Sequence, residues 1–266
     1  MRRSRGGKLN MLFSVAAIAV MWAAWIIAAA AVKNEYVVPS FVQTMRAVWV
    51  QVCAAYFWQS FAFTLLRSFS GWLLAFVCAV VFVAVGALSV GARKFIEPFV
   101  RVFRTLPTMA ITLMLLLWSS PRIAPIVVTF LMLFPISYSQ LSAAYYGVDP
   151  KLKEMTEVYG VSKKDMLLRV CIPQMMPSLF VQAGPNLSLS LKVTVSAEVL
   201  SFTFGSLGGI MQDASIYSDM PKMFAVTLIL LIVGAALEFA LGFLTKISDR
   251  WLYGRSDSKS AGGRGV

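Results

Sequence analysis

The chain has 266 residues, 59% of them hydrophobic and only 14% charged, with 24 Lys and Arg against 12 Asp and Glu; its mean hydropathy is +0.76. A soluble domain carries about 45–50% apolar and about 25% charged residues, so a water-soluble globule and a disordered chain are both excluded, and bases on so oily a chain point to membrane topology rather than to nucleic acid. The lack of any histidine removes His-based triads and His metal sites, and Cys53, Cys78 and Cys171, without C-x-x-C spacing, read as small apolar side chains.

A membrane-crossing helix needs about 20 predominantly apolar residues. A basic cytoplasmic tail over residues 1–10 precedes a first apolar stretch at 11–32. That stretch is longer than the about 7–15 residues of a signal-peptide core and reads as a retained anchor. Further stretches follow at 63–90, 108–119, 123–145, 179–202 and 223–245, the third being short and bounded by Pro107 and Pro121. Arg67, near the start of the second, is expected to reach out to the interface.

With both termini inside, 18 of the 24 bases fall on inner segments, and only Lys33, Arg46, Arg122 and Lys222 on outer ones. This asymmetry predicts an all-α membrane protein of six spans, N-in and C-in. The transmembrane domain covers 11–253, and the polar tail at 254–266 is expected to be disordered.

The longest inner loop, 147–177, reads GVDPKLKEMTEVYGVSKKDMLLRVCIPQMMP. Leu152, Met155 and Tyr159 share one face of a short helix, which Gly160 closes in a left-handed cap. Ser162 suits an N-cap, with Asp165 in the first turn of a second helix that Pro173 is expected to end. By itself such a pair also reads as an interfacial loop resting on headgroups.

The fifth span alternates Asn186, Ser188, Ser190, Lys192, Thr194, Ser196 and Glu198 with apolar residues. A lone strand leaves its backbone unpaired in lipid, so the segment is read as a helix. On a helix Ser188, Lys192 and Ser196 share one face, and Asn186, Ser190, Thr194 and Glu198 another, starting about 200° away. Ser188, Lys192, Ser196 and Glu198 are candidates for a translocation path, with interhelical hydrogen bonding as the competing reading. Lys192 suits an anionic substrate, or neutralises Glu198 or Glu238 on a neighbouring helix. Gly184-Pro185 and Pro135 predict helix kinks.

The run Glu154-x5-Gly160-x9-Val170-x-Ile172-Pro173 resembles the E-A-A-x-x-x-G-x9-I-x-L-P loop of ABC-importer permease subunits, with Met155 and Thr156 in place of the two alanines. The likeness covers residues 37–253 and is nearest to the nitrate/sulfonate/taurine branch, which includes thiamine-precursor transporters. It is carried by Val38-Pro39-Ser40, by TLLRSFSGWLLA at 64–75, and by Glu97-Pro98 with Arg104-Thr105-Leu106-Pro107. Phe134-Pro135-Ile136, Val148-Asp149-Pro150 and Ala197-Glu198 add to it.

The resemblance implies a type I ABC importer permease fold whose inner loop is a coupling helix seated in a separate ATP-binding subunit. Glu154, Gly160 and Pro173 are then the motif positions, with Val161, Ser162, Lys163 and Lys164 as contacts beside the hinge. It further implies a second permease (a homodimer being simplest), two ATP-binding subunits, an external substrate-binding protein and a small solute as cargo. The chain has no G-x4-G-K-[ST], since residues 86–91 lead into Ala92-Arg93. It is therefore expected to be non-catalytic, with no cofactor of its own and ATP bound by the partner. The alternative is a secondary transporter or channel using Lys192, Glu198 and Glu238.

Overall fold

The structure is a computed structural model that describes residues 3–32, 34 and 37–260. Every regular element among them is helical. The chain divides into two compact units, residues up to Trp58 with Ile210–Ile229, and Gln59–Gly209 with the chain from Leu230 onward.

In the first unit, α1 (Arg3–Val32) is followed by α2 (Phe41–Cys53). Helix α2 lies where the sequence reading places only an outer connection. Its start is fixed by a capping box: Ser40 Oγ accepts the Gln43 N–H, and the Gln43 side chain accepts the Ser40 N–H at 3.0 Å. Trp22 and Trp25 of α1 meet Phe41 at ring separations of 4.6 and 5.9 Å, and Trp25 stacks on Phe224 at 5.9 Å. The Trp25 indole N–H donates to the Pro39 carbonyl, so the polar tip of a half-buried aromatic is satisfied.

The second unit holds α3 (Ala55–Leu88) beyond its first turn, α4 (Val90–Thr105), α5 (Thr108–Trp118), α6 (Ala124–Tyr146), α7 (Pro150–Val158), α8 (Lys163–Met166) and α9 (Ile172–Leu200). It also takes the first turn of α10 (Leu207–Ile216) and most of α11 (Met220–Ser260). Helix α6 packs against α4, α5 and α9. The core between them joins Ala75, Ala79 and Val83 of α3, Ile96 and Val100 of α4, Leu133 and Phe134 of α6, and Cys171. Phe134 is ringed by Phe82, Phe103 and Phe130 at 5.4–5.9 Å. Cys171, fully buried there, behaves as the small apolar residue expected of it.

By length and composition three helical stretches among the described residues can cross a membrane: Ala55–Leu88, Ala124–Tyr146 and Met220–Phe243. A fourth is the pair Val90–Thr105 and Met109–Trp118, bent by 97°. The stretch expected at 11–32 keeps a shorter apolar helix, Ala19–Val32. The fifth expected span is the helix α9, 29 residues long, whose polar side chains keep it out of the apolar set. Of the tail expected to be disordered, residues 254–260 continue α11, and 261–266 lie outside the described residues.

Pro173 does not end the helix before it. It has no N–H to return to Arg169, and a π turn at Leu167–Cys171 immediately precedes it, with Ile172 donating to Leu167 five residues back. The proline thus falls in the first turn of α9, where its missing N–H is not needed.

Gly71 sets how closely α3 approaches α6. A Cβ at that position would lie 2.7 Å from Thr129 Cβ and 3.0 Å from the Ile126 carbonyl oxygen, and the carbonyl cannot move aside. Gly71→Val is expected to overpack this contact by about 1–3 kcal/mol, lowering the thermal unfolding midpoint in detergent by several degrees; an unchanged midpoint would show that the two helices are not in contact.

Candidate functional site

Helix α9 carries the two polar faces that the sequence pattern separates, and they have different fates. Asn186, Ser190, Thr194 and Glu198 are all buried, each bonded to another helix. Asn186 and Gln140 exchange reciprocal amide hydrogen bonds of 2.6 and 3.2 Å. Ser190 pairs with Ser68 at 2.7 Å, and Thr194 with Thr129 at 2.7 Å. The ladder ties α9 to α6 through Gln140 and Thr129, and to α3 through Ser68.

Its last rung is Glu198, with 0% of its side chain exposed. Arg67 Nη1 lies 2.9 Å from Glu198 Oε1, with its own side chain 13% exposed. The Thr64 hydroxyl is 2.9 Å from Oε2, and the Gly208 N–H donates to Oε2 at 3.2 Å. Thr64 Oγ1 in turn accepts the Leu207 N–H at 3.0 Å, and Ser206 Oγ accepts that of Gly209 at 2.9 Å. The first three N–H groups of α10, which have no partner within their helix, are thereby all bonded to side chains. A carboxylate at this positive end is favoured electrostatically as well. Gly208 is required there, since a Cβ would stand 2.3 Å from Glu198 Cβ and 2.8 Å from the Val195 carbonyl.

Two sequence expectations are corrected by this geometry. Arg67 does not reach out to the interface; a buried counter-charge holds it inward. Glu198 is neutralised by Arg67 rather than by Lys192, and its side chain has no exposed surface. Thr64, Arg67, Ser68 and Gly71 were missed as a set, although their i, i+3, i+4, i+7 spacing places them on one face of α3.

The other face splits. Ser188 is buried, and a Cβ on Gly234 of α11 would lie 3.0 Å from its hydroxyl. Lys192 and Ser196 are exposed on the surface of the chain, and the Ser196 hydroxyl returns to the Lys192 carbonyl at 2.9 Å. Glu238 is exposed too. At Gly184 the kink-forming pair has another role, since a Cβ there would be 3.2 Å from the Glu238 backbone: the glycine lets α11 approach α9.

In the loop 147–177, Gly160 takes φ +64 as the cap of the first helix requires. Ser162 Oγ accepts the Asp165 N–H at 3.1 Å and donates to the Asp165 carboxylate at 2.7 Å. Glu154 and Val161 are exposed, while the side chains of Lys163 and Lys164 lie outside the described residues. Val158 and Tyr159 are 84% and 78% exposed, leaving an apolar end of α7 uncovered next to the hinge.

A family model for the inner membrane component of binding-protein-dependent transport systems matches residues 87–253. A Brucella melitensis protein named as an ABC transporter permease is 29% identical over 164 residues, 60% of this chain and 65% of that protein, so the match spans just under two-thirds of the relative. An aliphatic sulfonates transport permease of Bacillus subtilis is 22% identical over 250 residues, covering 94% of this chain and 90% of the relative. The taurine transport system permease of Escherichia coli is 25% identical over 201 residues, 73% and 70% of the two chains. Among solved structures, an amino acid ABC transporter aligns with a TM-score of 0.60 at 17% identity, over 73% of this chain and 93% of the other. The MetNI methionine ABC transporter in an inward-facing conformation aligns at 0.57, also with 17% identity, over 79% and 97%. At that identity the two share the fold.

Arg67→Met alone leaves a buried carboxylate without its counter-charge and is expected to destabilise by about 3–5 kcal/mol. Arg67→Met with Glu198→Met removes both charges and is expected to recover much of that loss. The check is a double-mutant cycle on thermal unfolding in detergent, where simple additivity of the single substitutions would refute the pairing.

Proposed function

The chain belongs to the family of binding-protein-dependent transport system inner membrane components, and on that premise we propose that it is the permease subunit of an ATP-driven importer. It is a multi-pass protein of the bacterial inner membrane. Its six crossings are α1, α3, α5 with its flanking residues in the interface, α6, α9 and α11, with both termini inside as the distribution of bases requires. Helix α9 crosses despite its polarity because its ladder is satisfied by α3 and α6 rather than by lipid.

The observation that carries the path is Lys192. A Lys near the middle of a crossing costs at least about 2.5–3.5 kcal/mol against acyl chains, yet it stands on the outside of this chain with Ser196 beside it. That surface has to be covered by a second permease around a hydrated channel, the simplest arrangement being two copies of this chain. A cation on the wall favours an anionic solute. Two relatives are named for aliphatic sulfonates and taurine, which share a negatively charged sulfonate group, so a sulfonate-bearing solute delivered by an external binding protein is the proposed cargo.

ATP is bound and hydrolysed by a separate subunit, two copies per complex. The loop 147–177 docks on it through α7 and α8, with Glu154 and Gly160 at the motif positions and Val161–Lys164 and Pro173 flanking the contact. The exposed Val158 and Tyr159 supply the apolar part of that surface. A secondary transporter or channel coupled through Glu198 fits less well, because that carboxylate already faces Arg67.

Two predictions follow from these roles. Lys192→Ala is expected to lower ATP-dependent uptake of a sulfonate into proteoliposomes by about tenfold, the equivalent of losing about 1.4 kcal/mol, with Lys192→Arg restoring most of it. Equal uptake by both variants and the native chain would remove Lys192 from the path. Separately, Gly160→Pro, barred from φ +64, and Glu154→Lys are expected to lose the ATPase subunit on co-purification; retention of both subunit and uptake would overturn the docking assignment.

A further inference from the structure

A second polar site lies away from α9, between α4 and α6. It is a cleft of about 350 Å³, within the roughly 300–1,000 Å³ range of small-molecule sites, and three arginines of α4 converge on it. Arg93 is held twice: its Nε lies 2.8 Å from Glu97 Oε1, and its guanidinium carbon sits 4.0 Å from the centroid of the Tyr146 ring. Arg104 donates to the hydroxyl of Ser139 on α6. Arg101 stands 3.9 Å from the other Glu97 oxygen and is 78% exposed. One carboxylate and three guanidiniums thus line the cleft, which leaves two positive charges in excess, with Arg93 and Arg104 already oriented by protein partners. Planar, oriented guanidiniums recognise phosphate oxygens in pairs, where Lys serves as a point charge.

The setting of α4 indicates where the anion comes from. Arg93, Glu97, Arg101 and Arg104 occupy one sector of the helix, and Ile96 and Val100 face the core. On the far side Phe95, Phe99 and Val102 are all exposed. The axis bends by 97° into α5, so with α5 entering the membrane α4 lies along its surface. A helix with basic side chains on one flank and exposed phenylalanines on the other sits at the boundary between headgroups and acyl chains. Basic pockets between helices on the inner side of a membrane take anionic headgroups.

We propose that the α4–α6 cleft is a binding site for a phosphate-bearing anion, and that the headgroup of an anionic phospholipid fills it. Phe95, Phe99 and Val102 seat α4 at the depth where Arg93, Arg101 and Arg104 meet the lipid phosphate. The site is separate from the path on α9; only the leaflet, the inner one, rests on the orientation proposed above.

The test uses the full chain, purified in mild detergent with whatever subunits accompany it, and native mass spectrometry against added phosphatidylglycerol, phosphatidylcholine or inorganic phosphate. Phosphatidylglycerol is expected to be retained over phosphatidylcholine, and Arg101→Gln with Arg104→Gln to weaken retention by about tenfold, as for lost charge-assisted contacts. The control pair Arg46→Gln with Arg122→Gln, which removes the same charge outside the cleft, should change it less than twofold. Millimolar inorganic phosphate that binds and displaces the lipid, with the same sensitivity to the cleft pair, upholds the anion site but assigns it to free phosphate. An equal loss in the control pair, retention unaffected by the cleft pair, or a cleft-pair defect confined to ATPase co-purification would each overturn the proposal.

Discussion

A carboxylate out of water inside a membrane protein is tolerated only where counter-charge and donors are supplied from all sides, and Glu198 dictates much of the second unit in this way. Its two oxygens take Arg67, Thr64 and the Gly208 N–H. Because Thr64 also accepts the Leu207 N–H, a single carboxylate fixes the register of α3, the end of α9 and the first turn of α10 together. The demand propagates into residue choice. Position 208 has to be glycine for the backbone to come so near, position 64 needs a hydroxyl that donates and accepts at once, and position 67 needs a side chain long enough to bring a charge inward.

From that clamp the other rungs follow as a zip. With Glu198 docked against α3, the residues four, eight and twelve positions earlier turn towards α3 and α6, where Ser68, Thr129 and Gln140 meet them. The opposite face is then committed to the outside of the chain, and Lys192 goes with it. The two sides of one helix differ: closed hydrogen bonds hold it in place on one, and an exposed cation is presented on the other. In the proposed role of Lys192 this separation matters: a path residue that also carried the fold would be hard to vary for a new solute, and Lys192 bears no rung of the ladder.

How far this was legible in the sequence depends on whether the information is local. The i, i+4 sets of α9 are a matter of helix geometry, and so are the Gly160 cap and the Ser162–Asp165 start, all present as the spacing implies. Helix α2 was legible in principle, since S-x-x-Q at 40–43 is a capping box, but an amphipathic helix outside the apolar stretches is hidden when only hydropathy is followed. Helix α4 was hidden likewise: its arginines mark an inner loop by average, and its apolar residues split between a buried side and an exposed one. The Arg67–Glu198 pair spans 131 positions, so nothing local distinguishes an arginine turned towards water from one turned inward. The π turn depends on a conflict between Pro173 and helix continuity, and a proline by itself signals only a stop.

That conflict bears on how a push from an ATPase would travel. Between Pro150 and Leu200 the chain leaves helical geometry only at residues 159–162. From Lys163 onward α8, the π turn and α9 are continuous in helical geometry, because the π turn accommodates Pro173 without a break. A helix ended at Pro173, as the sequence suggests, would have put a second flexible joint between the docking loop and the path. Instead the one break in helical geometry before the ladder is at Gly160, and displacement beyond it would pass along α9, through Pro177 and Pro185, to the ladder that binds α3 and α6. Rigid-body motion of packed helices about a short hinge is a common form of switching. The helix that presents Lys192 is also the helix that the loop would move, so in the proposed function the path and its drive would share one element.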